Sequence, residues 1–147
     1  MSGYQSLLFD DQVVDKVKNP KKSKVNDKRG CDFCPLNKAK GINKVINIGR
    51  LRSRKIFVWA QCPGKEENNE ELELVGPAGK LFWTEMRQVG LTREDCDVQN
   101  VVRCRPTELN EYGQRVNRDP TKEEIKCCSI FTEEALIKSK AKVYLVL

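Results

Sequence analysis

The chain has 147 residues, enough for one domain with a core of its own and too short for two. It carries 27 Lys+Arg against 21 Asp+Glu, seven cysteines and no histidine. The missing histidine excludes Cys–His and Ser–His catalysis, and His-ligated metal, within this chain. No run reaches the ~18 apolar residues of a membrane span, and the N-terminus shows no signal-peptide apolar core, so the sequence reads as intracellular and soluble.

The net charge of +6 is unevenly placed: residues 1–55 hold 14 basic against 5 acidic residues, leaving 13 against 16 for residues 56–147. A basic first third on a near-neutral body points to a polyanion such as nucleic acid, or else to no more than a solvated tail. Residues 1–29 have no apolar periodicity and read as a flexible basic tail, with an ordered domain over 30–147. Within the tail, Gln5-Ser6-Leu7-Leu8-Phe9 precedes Asp10-Asp11. It resembles the Q-x-x-L-F peptide with which bacterial replication and repair proteins dock on the sliding clamp. That resemblance implies a clamp contact through Gln5, Leu8 and Phe9, a small apolar anchor on a tether.

Cys31-x2-Cys34 opens the ordered part, and residues 45–48 form a short candidate strand. Residues 55–61 are an apolar run of the kind buried on both faces of a parallel sheet; it stops at Cys62-Pro63-Gly64, followed by an acidic loop. A helix is predicted from Pro77, with Phe82, Met86 and Val89 on its apolar face and Gly90 capping its end. Residues 97–102 form a second strand. A loop with Pro106, Gly113 and Pro120 then leads to the capping box Thr121-x-x-Glu124 and a helix to about residue 138. Residues 141–147 form a third apolar strand.

This order predicts an α/β fold, a three-layer α/β/α arrangement on a short parallel sheet. Ending on an apolar strand suggests that the sheet is truncated after its third main strand and that the chain is a piece of a longer protein.

Seven cysteines without a secretory signal point to metal or cluster ligation rather than disulfides. Cys31-x2-Cys34 suits zinc and an iron–sulfur cluster equally. Cys104 follows a strand and Cys127-Cys128 lie on the next helix, so three segments can converge at one end of the sheet. Cys62 and Cys96 read better as buried apolar cysteines.

Four colinear segments, "CDFCPL", "CPGKEENNEELELVGPAGKLF", "VGLTREDCDVQNVVRCRP" and "NRDPTKEEIKCC", resemble family 4 of the uracil-DNA glycosylase superfamily, the iron–sulfur branch. The resemblance covers residues 31–147. It implies a structural [4Fe–4S] cluster, with structural zinc as the alternative, on Cys31, Cys34, Cys104 and Cys128, with Cys127 as a neighbouring fallback. It places Arg103, Arg105, Arg115 and Arg118 for phosphate contacts near the cluster. The loop between Cys104 and Asn117 is longer than the family's usual one.

In that family a flipped uracil meets a G-E-x-P-G-x-x-E-D loop, a stacking Phe, the Asn of an N-x-x-K-C motif and a later His segment. Here the Gly-Glu pair is Ala60-Gln61, Pro63 and Gly64 are kept, Glu66 and Glu67 match acidic positions, and the final Asp is Asn68. Leu74 stands at the stacking Phe, Asn100 at the uracil-reading Asn, and the His segment is missing. Gln61 does not titrate, and Glu66 or Glu67 would have to orient the water in its place.

The resemblance therefore carries two expectations. One is a DNA-binding glycosylase-like domain without efficient uracil excision, of the kind fused to DNA polymerases of some bacteriophages, which would then work in a host cytoplasm. The other is a divergent, active family 4 enzyme.

Overall fold

The computed structural model describes residues 29–39 and 51–147. The clamp-like peptide of Gln5, Leu8 and Phe9, the rest of the tail up to residue 28 and the candidate strand at 45–48 lie outside the described residues.

A 3₁₀ turn at Cys31–Phe33 leads into a one-turn helix α1 (Pro35–Lys38). Strand β1 (Ile56–Ala60) is followed by helices α2 (Lys65–Glu70) and α3 (Pro77–Gln88). Strand β2 (Cys96–Asn100), the hairpin β3 (Thr107–Leu109) and β4 (Arg115–Asn117), helix α4 (Lys122–Lys138) and strand β5 (Val143–Val146) complete the order. The main sheet runs β2-β1-β5, all parallel, with Val58 opposite both Val98 and Leu145.

β1 lies at the centre because it is apolar on both faces, and its alternation sorts the two layers. Val58 and Ala60 pack with Cys96, Leu74, and Trp83 and Met86 of α3 on one side. Phe57 and Trp59, with rings stacked at 4.6 Å, pack against Ala135 of α4 and Tyr144 on the other. Burying Phe57 and Val58 contributes about 1.5–3 kcal/mol each. The α/β/α layering on a short parallel sheet matches the expectation.

Three expectations change in detail. The fully buried stripe of α3 is Gly79, Trp83 and Met86, three residues earlier than the predicted one; Phe82 is half-buried against the same core and Val89 is 71% exposed. The segment after Gly64, read as an acidic loop, is helix α2, with Glu67 and Asn68 turned inward. The connection after Cys104 contains the β3–β4 hairpin, whose tip Asn110 closes by accepting from the N–H groups of Tyr112 and Gln114 at 3.0 and 2.8 Å. Gly113 there has φ of +72°, a conformation that favours glycine. Among the described residues the apolar strand β5 lies at the edge of the sheet, with Val143 and Val146 exposed.

Candidate functional site at the carboxyl edge of the sheet

Parallel pairing continues past the ends of β1 and β2: the Val101 and Val102 N–H groups donate to the carbonyls of Ala60 and Gln61 at 2.9 and 3.0 Å. The loops leaving both strands therefore run side by side at the carboxyl edge, where parallel α/β sheets place ligands.

In the first loop Pro63 is buried and Gln61 is exposed. Gln61, Cys62, Pro63 and Gly64 line a cavity of about 390 Å³ together with Asn117, Arg118 and Asp119. Burial, with Asp119 nearby, pushes the Cys62 thiol up to about 11. It therefore stays protonated near neutral pH and is no ready nucleophile.

Glu67 folds back from α2 and accepts from Gly64 N–H (3.0 Å), Val75 N–H (3.1 Å) and Gly76 N–H (2.7 Å). Both of its oxygens serve as ties between the Pro63-Gly64 turn and the Val75-Gly76 turn. Glu66, one residue earlier, faces solvent.

Leu74 has φ of +52°, unusual for a branched residue, and is held there from two sides. Its carbonyl accepts from the Trp83 indole at 3.0 Å, and its backbone presses on Gly79, where a Cβ would lie 2.1 Å from the Leu74 carbonyl carbon. The Leu74 side chain, 8% exposed, packs in the apolar layer with Trp83 and Val58. Asn100, at the end of β2, is 4% exposed, and its Nδ2 has no hydrogen-bond partner among the described residues.

Beside this edge lies a second cavity of about 220 Å³, lined by Cys31, Cys34, Cys104, Cys127, Cys128 and Arg103 among others. The C-x-x-C turn reaches it because the Gly30 N–H donates to the Cys127 carbonyl at 2.8 Å. Four of the thiols are buried and Cys31 is half-buried. The Arg103 guanidinium stacks on Phe131 at 4.4 Å and sits among Cys128, Cys31 and Cys104, while burial pulls its pKa down. Burial pushes the Cys128 thiol up, and the hydrogen bond from the Arg103 backbone N–H partly offsets it.

The donor set is all thiol, the chemistry that holds zinc or an iron–sulfur group. Five thiols around a cavity, with a buried cation among them, fit a cluster held by four thiolates.

The arginines divide. Arg103 is buried at the thiols. Arg118 grips Glu124 with both terminal nitrogens at 2.9 and 2.6 Å. Arg105 donates to Asn117 Oδ1 at 2.7 Å and Arg115 to Thr107 Oγ1 at 2.7 Å. Arg115 is exposed and Arg105 half-buried. Sequence reasoning did not single out Asn117 or Asp119 as cavity walls, nor Glu124 as an ion-pair partner. The capping-box spacing was a signal for Glu124, whereas the hairpin that brings Asn117 to Gly64 left none.

A parallel α/β/α layer structure with an open cavity and a thiol-lined cavity at its carboxyl edge has the layout in which α/β domains place ligands. The sequence profile of the Uracil DNA glycosylase superfamily matches residues 46–147, more than half of the chain. The chain belongs to that superfamily.

The type-4 uracil-DNA glycosylase of Archaeoglobus fulgidus is 36% identical over 104 residues, 71% of this chain and 47% of that protein. That of Thermotoga maritima is 39% identical over 101 residues, 69% of this chain and 47% of that protein. That of Saccharolobus solfataricus is 36% identical over 102 residues. The chain thus spans about half the length of the curated relatives it matches.

Proposed function

We propose that this chain is the DNA-binding, glycosylase-fold part of a replication or repair protein, that it holds a [4Fe–4S] cluster, and that it excises uracil poorly. One contrast carries the reading. The loop after β1 lines a cavity, which this reading takes as the base-binding edge, but Gln61 lines it where the family's motif has a carboxylate, and Leu74 gives its side chain to the core. An amide cannot take the water's proton. Glu67 is committed to three backbone donors and Glu66 points to solvent, so neither has the setting of a general base.

In this reading Cys31, Cys34, Cys104 and Cys128 hold the cluster, which supplies a rigid cross-link among three chain segments. Arg103 supplies the compensating charge, Arg105 and Arg115 meet phosphates, and Arg118 holds the hairpin exit to α4. The domain works inside the cell, in a host cytoplasm if phage-encoded as part of a polymerase, with Gln5, Leu8 and Phe9 as a clamp contact. The full-length protein should bind duplex and single-stranded DNA at low salt; failure to bind either rejects the reading. A peptide of residues 1–12 that does not bind a sliding clamp rejects the clamp contact alone.

A second reading, a divergent active enzyme, rests on Asn100. Its buried, unpartnered Nδ2 is a donor held ready for an acceptor on a flipped base. Uracil release by the full-length protein under single-turnover conditions, lost in Asn100→Ala, would support it.

A further inference from the structure

The cavity proposed for the cluster has one thiol more than four-thiolate ligation uses. Cys127 and Cys128 are consecutive on α4, both line it, and they are 3% and 5% exposed. Cys128 packs with Cys34 and Cys104 and shares the cavity wall with Cys31. Cys127 packs in one buried cluster with Cys34, Cys104 and Cys128, and its carbonyl accepts from the Gly30 N–H, immediately before Cys31, at 2.8 Å. Its side chain is therefore packed among the proposed ligands instead of only among apolar side chains.

This inference rests on the cluster reading above. We propose that the cavity contains two interchangeable four-thiolate sets: Cys31, Cys34 and Cys104, completed by either Cys128 or Cys127. Consecutive Cα atoms lie about 3.8 Å apart, so exchange needs side-chain rotation and a small shift of one helical turn, not a new fold. In the exchange Cys127 loses its proton and binds iron, while Cys128 leaves the iron and takes up a proton. No iron changes oxidation state, and the proton count balances. The consequence is a site that retains its cluster when the fourth ligand is oxidised or alkylated.

The test uses the full-length protein, reconstituted anaerobically with ferrous iron and sulfide as wild type, Cys127→Ala, Cys128→Ala and the double variant. Iron and acid-labile sulfide per chain, with the visible absorption of the cluster, are the readouts. Both single variants should retain most of the wild-type cluster, and the double variant should fall about tenfold or more. Either single variant as empty as the double overturns the exchange. Cys128→Val, which offers no iron ligand and fills the buried position, replaces Cys128→Ala if circular dichroism shows the latter unfolded. A wild-type chain that takes up no iron or sulfide overturns the cluster reading itself.

Discussion

Three backbone donors converge on the Glu67 carboxylate, and few single side chains in the domain hold so much of the edge in place. In Glu67→Gln one oxygen becomes a donor and must face a backbone N–H, at a cost of about 1–3 kcal/mol. Thermal or denaturant unfolding should show that loss, and amide exchange at Gly64, Val75 and Gly76 should accelerate. Unchanged exchange there would contradict the tie. Gly79→Ala should cost about 3 kcal/mol, since its Cβ meets the Leu74 backbone and not a flexible side-chain end. The sequence made both acids at 66 and 67 look equivalent, because the groups that occupy Glu67 lie up to nine residues away along the chain. The family resemblance set Leu74 against a stacking aromatic, but its φ of +52° and its place in the core depend on Gly79 and Trp83 together.

At the scale of elements, β1, β2 and α4 were legible because each signal is local: an apolar run, a second run, a capping box. Helix α3 was legible in extent and in Phe82 and Met86, which pack on the core, whereas Trp83 joins them there and Val89 does not. The β3–β4 hairpin was missed because its short strands are half-exposed and carry little apolar alternation. Glu124 sits where α4 begins: it accepts from the Thr121 N–H at 2.7 Å and from Arg118, and the Arg118 guanidinium holds its carboxyl below the ordinary 4.5. A depressed folded pKa adds stability above the unfolded value, and that stability fades as pH falls from about 4.5 through the folded value. Glu124→Gln should therefore flatten the acid limb of a stability–pH curve below pH 4.5, and losing the charge-assisted bonds to Arg118 should cost about 1–3 kcal/mol at pH 7. A wild-type and variant pair with parallel acid limbs would contradict this.

Over the described residues, the edge, the thiol cavity, Arg105 and Arg115 lie on adjacent loops, so in the proposed reading a cross-link at the cysteines would fix the loops offered to DNA. Arg105→Ala and Arg115→Ala should each reduce the slope of log affinity against log salt by about 1, with little dependence on DNA sequence. A fluorescence anisotropy titration at several salt concentrations measures it, and an unchanged slope removes that residue from the phosphate contact. The family was legible from four short motifs in order; the difference between inherited shape and retained chemistry rests on Gln61. The most direct measurement is single-turnover uracil release from DNA by the full-length protein as wild type and Gln61→Glu. Release at background by the wild type, raised by Gln61→Glu, is predicted. Rapid release by the wild type, unchanged or lowered in Gln61→Glu, would contradict it.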